Sequence, residues 1–395
     1  MAGAVLGGEV VMVSRAGANR LRHGHPWVFR TDVRQAPEGE PASPFVNVVD
    51  ERRNPVAICL YSAAGPLALR RWGPPRTPTD EKELRRRLTD ALGLRGIMAP
   101  GADAVRLVHG EADDLPGLFV DQYAHALVIQ TACRPMERLL PQVLALLTEL
   151  VRPGLVVRRD DGSARDLESL PRIKEIMHGG PETRVRYHEG ETLLDADLLA
   201  GHKTGSYLDQ RENHAHAGSL ARGRCLDLFS NEGGFGVAMA RNAEHVICVE
   251  QDPVSVERLV ANARLNGVEG RLEGRCANAF DELRTLDESG ARFDCIVVDP
   301  PALAKRAGPL EGALRGYFEL NRRAFRLCTA GAWLITYSCS GRVTAEMLED
   351  VVRDAASHAR RRAQVVGRRF APPDHPGLLG LPETEYLKGL VLRVF

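Results

Sequence analysis

The stretch "RCLDLFSNEGGFG", residues 224–236, joins a short apolar run to a glycine-rich turn and the start of a helix. Three similar apolar runs follow it, in "HVICVE", "FDCIVVDPP" and "GAWLITYS", and helix-like segments separate them. Short β-rich runs that alternate with helices predict an α/β domain with a parallel, doubly wound sheet. Ligands of such sheets bind outside the carboxyl ends of the strands, so the residues that follow each run are the candidates for function.

The glycine-rich turn contains Gly233, Gly234 and Gly236. Glycine permits a tight turn and a close approach of backbone to ligand, and the helix that follows offers unpaired N–H groups. The next strand ends in Glu250, where a carboxylate can accept hydrogen bonds from both hydroxyls of a ribose. Together these features predict a nucleoside cofactor, and at this point both NAD and S-adenosyl-L-methionine remain open.

The next two strand ends favour S-adenosyl-L-methionine. Asn278 is placed to present a side-chain amide to an adenine edge. Asp299 ends a strand and precedes Pro300 and Pro301, which stiffen the loop. Nucleic-acid methyltransferases hold a flat base with an Asp-Pro-Pro turn of this kind, whereas the alternative is a plain strand-ending turn. Nothing in these segments resembles a hydride-transfer site.

Length and composition indicate a globular protein with two or three domains. The chain has 395 residues, of which 44% are hydrophobic and 26% charged. No apolar run approaches the roughly 18 residues of a membrane span, and no secretory signal is recognisable, so we expect a cytoplasmic protein without membrane contact. The eight cysteines show neither C-x-x-C pairs nor zinc spacing, which predicts reduced thiols and no metal. His214 and His216, in a polar, loop-like stretch, are interpreted as surface residues.

The net charge is zero, but two groups of arginines stand out. One group lies between Arg15 and Arg34, and the other between Arg360 and Arg369. Either could bind a phosphate backbone, and either could be an ordinary solvated face.

Three regions differ in pattern. Residues 1–75 contain short β-like runs broken by Gly, Pro and Asn, which predicts a small β-rich domain. Residues 76–184 alternate helices with strands and predict a central α/β domain. Residues 185–395 begin with a predicted hairpin around Glu189-Gly190 and continue into the doubly wound domain.

Several motifs in these regions resemble one family. "HPWVF", "GHKTGSYLDQREN", "DLFSNEGGF", "FDCIVVDPP", "RGYFELNRRA", "TYSCSG" and "DHP…PETEYLKG" resemble the bacterial 23S ribosomal RNA cytosine-carbon-5 methyltransferases that carry an N-terminal PUA domain. The resemblance runs from about Arg20 to Phe395. It implies an RNA-binding PUA domain, a central α/β domain and a class I methyltransferase domain that uses S-adenosyl-L-methionine, with 23S ribosomal RNA as partner and a homodimer left open.

The resemblance also implies a set of site residues. Asp299 and Cys339 are the implied catalytic pair. The implied cofactor residues are Lys203, Tyr207, Asp209, Gln210, Arg211, Ser230, Gly233, Gly234, Phe235, Glu250, Asn278, Ala279 and Asp299. Two departures from the family pattern affect this set. The glycine turn has Asn231-Glu232 where the family has an aromatic residue and threonine, and Ala302 replaces the lysine of "DPPK".

Cys339 lies between Ser338 and Ser340 at the end of "WLITYSCSG". A thiolate that adds to carbon 6 of cytosine makes carbon 5 nucleophilic, and a carboxyl group can stabilise the charge that develops on the base. Because an unperturbed thiol is only about 3% ionised at neutral pH, Cys339 needs a nearby cation or N–H donors. Ser338, Ser340 and Gly341 predict an exposed turn rich in donors.

Two other functions remain open. The protein could methylate an exocyclic amine with Asp299, Pro300 and Pro301 while Cys339 takes no part. It could also be a non-catalytic RNA-binding module in which Asn231-Glu232 has abolished catalysis. Cys225, Cys248, Cys295 and Cys328 lie within apolar runs and are expected to be buried and inert.

Overall fold

The computed structural model of the protein describes residues 8–304, 308 and 310–395. The chain divides into two compact units. The first comprises residues 1–185, 196–206 and 373–384, and the second comprises 186–195, 207–372 and 385–395.

The first unit begins with a six-stranded sheet. Its strands are β1 (Val10–Val13), β2 (Trp27–Phe29), β3 (Val33–Gln35), β4 (Phe45–Val49), β5 (Pro55–Tyr61) and β6 (Leu67–Gly73), in the order β2-β6-β5-β4-β1-β3. Helix α1 (Arg15–Arg22) begins at Ser14, whose hydroxyl accepts a hydrogen bond from the Gly17 amide. Apolar residues of α1 and of the strands form one core cluster.

The rest of the first unit contains a five-stranded sheet. Its elements are α2 (Glu81–Met98), β7 (Ala104–His109), β8 (Leu118–Tyr123), β9 (Ala126–Thr131), α3 (Arg134–Val151), β10 (Leu155–Asp160), α4 (Ala164–Leu167) and β11 (Ile173–His178). The strand order is β11-β10-β9-β8-β7. Its core includes Trp72 of β6 as well as Leu84 and Leu88 of α2. The domain boundary expected after residue 75 therefore lies inside one compact unit and stays a prediction.

A two-stranded hairpin comes next along the chain. Its strands are β12 (Arg184–Glu189) and β13 (Thr192–Asp197), so the turn lies at the expected Gly190.

The second unit is built on a seven-stranded sheet. Its strands are β14 (Arg224–Leu228), β15 (His245–Glu250), β16 (Leu272–Cys276), β17 (Phe293–Val298), β18 (Cys328–Ser338), β19 (Ala363–Phe370) and β20 (Lys388–Val394), in the order β16-β15-β14-β17-β18-β20-β19. The first five strands of this order pair in parallel, as predicted, whereas β20 pairs antiparallel with both β18 and β19.

Helices cover both faces of this sheet. They are α5 (Arg211–Leu220), α6 (Gly234–Ala240), α7 (Pro253–Leu265), α8 (Ala279–Glu288), α9 (Leu310–Leu327) and α10 (Ala345–His358). Alternate strand residues point to opposite faces. Leu226 and Ile296 therefore pack in a cluster with α8, α9 and α10, whereas Cys225 and Cys295 pack in a second cluster with α5, α6 and α7.

None of the helices in the described residues is long and apolar enough to cross a membrane.

Candidate active site

The predicted catalytic residues follow neighbouring strands of the second unit. Val298 of β17 pairs with Thr336 of β18, so the two parallel strands end side by side. Asp299 follows the first strand and Cys339 the second. The Cys339 Sγ lies 3.8 Å from the Pro300 carbonyl oxygen, a weak thiol hydrogen bond. The structure thus brings Cys339 to the Asp-Pro-Pro loop.

A chain of polar side chains fixes the Asp299 carboxylate. The Gln210 Nε2 donates to Asp299 Oδ2 at 2.9 Å, and the Gln210 Oε1 accepts from Asn213 Nδ2 at 2.6 Å. Arg369 in turn donates to the Asn213 Oδ1 at 2.9 Å. Because each amide has a committed donor and acceptor, the orientation of Asp299 is set before any substrate arrives.

The turn around Cys339 differs from the prediction. Ser338 and Ser340 are both 0% exposed, and their hydroxyls lie 2.9 Å from the Tyr317 hydroxyl of α9. The serines anchor the turn to α9 instead of offering donors to the thiol, so the prediction of an exposed, donor-rich turn was wrong for them. Only Gly341 is exposed, and Cys339 itself is half-buried.

Lys388 is a functional candidate that sequence reasoning missed. It is 6% exposed, and its Nζ donates to the carbonyl oxygens of Ser340 at 2.6 Å and Tyr386 at 3.0 Å. Burial lowers the pKa of Lys388 to about 8, and the nearby Cys339 acts in the opposite direction. Its signal was present in the sequence, because "EYLKG" belongs to the last motif of the resemblance.

The glycine turn is tight, as the sequence predicted. Gly233 has φ 91°, in the left-handed region that favours glycine, and directly precedes α6. A Cβ on Gly234 would lie 2.4 Å from the His214 ring, so the turn leaves no space for a side chain there. Phe235 is 5% exposed and packs edge-on against His214, with ring centroids 4.5 Å apart. Its side chain belongs to the core, and only its backbone remains for a ligand.

The surface interpretation of His214 was wrong. The stretch is helical, in α5, and His214 is buried with its Nδ1 2.6 Å from Glu189 Oε2. Burial by itself lowers the pKa of His214, but the Glu189 carboxylate outweighs it and the net shift is upward. His216, two residues on, is half-buried.

Glu250 closes the glycine turn from the next strand. Its carboxylate accepts hydrogen bonds from the backbone N–H groups of Asn231 at 3.0 Å, Gln251 at 2.7 Å and Asp252 at 3.0 Å. Ser230 donates its hydroxyl to the Asp227 carbonyl oxygen at 2.8 Å, within the same turn. Glu250 and Ser230 thus stabilise the backbone conformation of the turn.

The unusual Asn231-Glu232 pair is accommodated without disturbing the turn. Glu232 is 6% exposed and forms a 2.6 Å ion pair with Arg258 of α7. Its carboxylate is therefore directed to a helix and held there. Asn231 adopts φ 46°, which asparagine tolerates better than most residues.

The remaining predicted cofactor residues occupy several places. Asn278 is exposed and caps α8 through its side-chain oxygen, 3.0 Å from the Phe280 amide, and Ala279 begins that helix. Asp209 is buried and accepts a hydrogen bond from the Tyr386 hydroxyl at 2.7 Å.

Arg211 begins α5, and Tyr207 precedes it. Burial and the charge of Asp299 raise the pKa of Tyr207. Lys203 belongs to the segment 196–206 of the first unit, with φ 48°.

This set of groups fits S-adenosyl-L-methionine. A nucleoside with a cationic sulfur needs acceptors for its ribose and a donor for its adenine, and it favours nearby carboxylates. Glu250, Asn278 and Asp299 offer these groups at three strand ends of one sheet. In the described residues, no group of three or more His, Cys, Asp or Glu side chains could hold a metal ion.

Most of the other cysteines are more deeply buried than Cys339. Cys225, Cys248, Cys295 and Cys328 are all buried, as predicted. Burial raises the pKa of Cys328 to about 12 and that of Cys248 well above its usual value. Cys276 is exposed.

Solved structures share this fold. The SMU.776 protein, solved in complex with SAH, superposes with a TM-score of 0.85 at 16% sequence identity, covering 97% of this chain and 99% of that one. A SAM-dependent methyltransferase structure from Streptococcus mutans gives a TM-score of 0.83 at 16% identity, with the same coverage. The predicted class I methyltransferase fold is therefore confirmed.

Sequence comparison identifies the family. A family described as "PUA-like domain" matches residues 11–72, and one described as "Conserved hypothetical protein 95" matches residues 211–314. "Ribosomal RNA large subunit methyltransferase I" of Tolumonas auensis is 35% identical over 383 residues, which cover 94% of this chain and 96% of the relative. The protein of the same name from Aliivibrio fischeri is 30% identical over 391 residues, 97% and 99% of the two chains. The chain therefore belongs to the ribosomal RNA large subunit methyltransferase I family.

Proposed function

We propose that the protein methylates carbon 5 of a cytosine in large-subunit ribosomal RNA, with Cys339 as the nucleophile and S-adenosyl-L-methionine as the methyl donor. The family relatives are named for methylation of that RNA, and a structure of the same fold was solved with SAH. The cofactor prediction is thus confirmed at the level of the family. When bound, S-adenosyl-L-methionine supplies an electrophilic methyl group.

The single observation that supports carbon-5 chemistry is the thiol beside the Asp-Pro-Pro loop. The Cys339 Sγ lies 3.8 Å from the carbonyl oxygen of Pro300, the residue after Asp299, so a base bound by Asp299 would lie near the thiol. Methylation of an exocyclic amine uses the amine lone pair and requires no thiol at that position. The placement of Cys339 therefore favours carbon 5 over the amine.

Each residue then has a defined task. The Cys339 thiolate forms a bond to carbon 6, and electron density moves through the ring to carbon 5, which becomes able to accept a methyl group. Asp299, oriented by Gln210, shares a proton with the ring nitrogen on which negative charge develops and accepts a hydrogen bond from the amino group. Loss of the carbon-5 proton then breaks the bond between Sγ and carbon 6 and restores the aromatic base.

The RNA-binding alternative without catalysis is less well supported. It rests on the changed residues Asn231-Glu232, but Glu232 pairs with Arg258 and Glu250 still binds the Asn231 amide. The turn keeps the backbone geometry that glycine at 233 provides.

The chemical position of the transferred methyl group tests the proposal. Large-subunit ribosomal RNA incubated with the enzyme and isotopically labelled S-adenosyl-L-methionine is digested to nucleosides and analysed by mass spectrometry. We expect labelled 5-methylcytidine, its loss by at least about a thousandfold in Cys339→Ser, and retention in the exposed-thiol control Cys276→Ser. Label in N4-methylcytidine would contradict carbon-5 methylation and support methylation of the exocyclic amine. No label in any nucleoside would support a non-catalytic RNA-binding module.

A further inference from the structure

Lys388 places a buried ammonium group at the end of the nucleophile's strand. It is the first residue of β20, and its backbone pairs with Ser338 of β18, one residue before Cys339. On the other side it pairs with Phe370 of β19. The position is therefore fixed by two ladders of hydrogen bonds, and the side chain begins next to the Cys339 turn.

The ammonium group is satisfied only by neutral acceptors. Its two hydrogen bonds go to the carbonyl oxygens of Ser340 and Tyr386, which leaves one of its three protons for a further acceptor. Within the described residues no carboxylate lies within ion-pair distance of Lys388. A buried cation without a counter-ion is costly, so the fold retains it against a considerable desolvation penalty.

An anion that forms at Cys339 would supply the missing counter-charge. Among the described residues, Tyr207 before α5, Tyr317 of α9 and Lys388 of β20 interact electrostatically with Cys339. Asp299 precedes Pro300, whose carbonyl oxygen contacts the thiol. Among these, Lys388 alone carries a positive charge. The serine hydroxyls on either side of Cys339 are committed to Tyr317 and cannot stabilise a thiolate.

The Lys388 contact also controls the shape of the turn. By accepting from Nζ at 2.6 Å, the Ser340 carbonyl ties the residue after Cys339 to β20. The same side chain therefore fixes the direction of the thiol and supplies the charge beside it.

We propose that Lys388 is a positioning residue that holds Cys339 as a thiolate and aims it at the base before RNA binds. The thiol proton passes to bulk water, and the remaining sulfur anion pairs with the Lys388 ammonium group until its lone pair forms the bond to carbon 6. This inference rests on the proposed function for its purpose, but the ion pair itself can be tested without RNA.

The pH dependence of alkylation tests the ion pair. Full-length protein without cofactor is treated with iodoacetamide between pH 5 and 10, and the modification of each cysteine is followed by peptide mass spectrometry. In the wild type we expect Cys339 to reach half-maximal reactivity at a lower pH than the exposed Cys276. Lys388→Met should raise that pH by about one unit or more and slow alkylation of Cys339 about tenfold at neutral pH.

Matched control variants distinguish the effect of the Lys388 charge from a loss of structure. Lys388→Arg keeps a cation and should retain the low half-reaction pH. Lys82→Met removes a cation from an exposed position of α2 and should leave the Cys339 profile unchanged. The Cys276 profile should be the same in all variants, because that thiol is remote from the substitution in the sheet order. A merely structural Lys388 would alter stability without moving the profile.

Two results would overturn the inference. One is an unchanged Cys339 profile in folded Lys388→Met. The other is wild-type Cys339 that needs a pH as high as Cys276 does, and this result requires no variant to fold. A shifted Cys339 alkylation profile in Lys388→Met, together with label in N4-methylcytidine, would support the ion pair and contradict carbon-5 methylation. The two proposals are therefore distinguishable.

Discussion

Asp227 is a buried carboxyl group next to the glycine turn. It is 0% exposed, and neither carboxyl oxygen has a hydrogen-bond partner in the described part of the chain. Burial raises its pKa to about 7, with the His214 charge opposing the shift. The group lies beside Gly236, where an added Cβ would be 3.2 Å from its Oδ2.

Asp227 should make the cofactor-free protein less stable as the pH rises. Because its folded pKa lies above the unfolded value, the native state binds the proton more tightly, and this stabilisation falls progressively as the pH rises from about 4 and is gone above about pH 7. Asp227→Asn removes the titration, so relative to wild type the variant should gain on the order of 1–3 kcal/mol between pH 5 and pH 8. Thermal unfolding of both proteins at the two pH values measures this, and an identical difference at both would refute it.

The sequence predicted the positions of Asp299 and Cys339 at strand ends better than it predicted the partners of the residues around them. Asp299 and Cys339 were identified because strand ends are readable from the pattern of apolar runs. The partners of Ser338 and Ser340 were not, because Tyr317 lies on a helix more than 20 residues away in the chain. Lys388 was missed as a neighbour of Cys339 for the same reason, since only the antiparallel pairing of β20 with β18 brings them together.

At Gly236, close packing of a helix on the sheet outweighs helix propensity. Gly236 lies inside α6, where alanine would ordinarily be favoured by about 1 kcal/mol. A Cβ there would, however, lie 2.2 Å from the Cys248 Sγ of β15, much closer than any real contact. The helix can approach the sheet only because this position has no side chain.

Gly236→Ala should therefore destabilise the protein by about 1–3 kcal/mol despite its better helix propensity. It should also weaken S-adenosyl-L-methionine binding, since α6 must shift and the turn precedes it. Gly270→Ala is the matched control, because nothing lies within 4 Å of its added Cβ. Chemical denaturation and calorimetric titration measure the two effects, and equal stability of the two variants would contradict the packing argument.

Other elements differed from the sequence prediction for identifiable reasons. The stretch around His214 looked loop-like because it is polar, but its pairing with Glu189 lets a polar helix be buried. The predicted parallel strands are present, and β20 differs in direction because it follows β19 in the chain and pairs antiparallel with it. The turn at Gly190 was correct because local turn chemistry fixed it.

Across the whole molecule, several arginines of the two groups noted in the sequence form ion pairs or hydrogen bonds with nearby residues. In the first unit Arg22 pairs with Asp50 at 2.8 Å and Arg34 with Glu51 at 3.1 Å. In the second unit Arg368 pairs with Glu349, and Arg361 donates to the carbonyl oxygen of Cys328. Charge density in the sequence cannot distinguish an RNA-binding face from such local pairing, because the acids involved come from other elements.

In the proposed reaction, Cys339 forms a covalent bond to cytosine during turnover. RNA that contains 5-fluorocytidine tests it directly, because fluorine at carbon 5 cannot leave as a proton does and the elimination that frees the thiol is blocked. Cys339→Ser and Asp299→Asn provide the comparison, since one lacks the nucleophile and the other retains it.

We predict a protein–RNA band on a denaturing gel that requires S-adenosyl-L-methionine, maps to Cys339 and is absent in Cys339→Ser. Asp299→Asn should form the band more slowly, because the base is held less firmly. Methylation of unmodified RNA by Cys339→Ser at nearly the wild-type rate, with no band from the wild type on fluorinated RNA, would contradict covalent catalysis by Cys339.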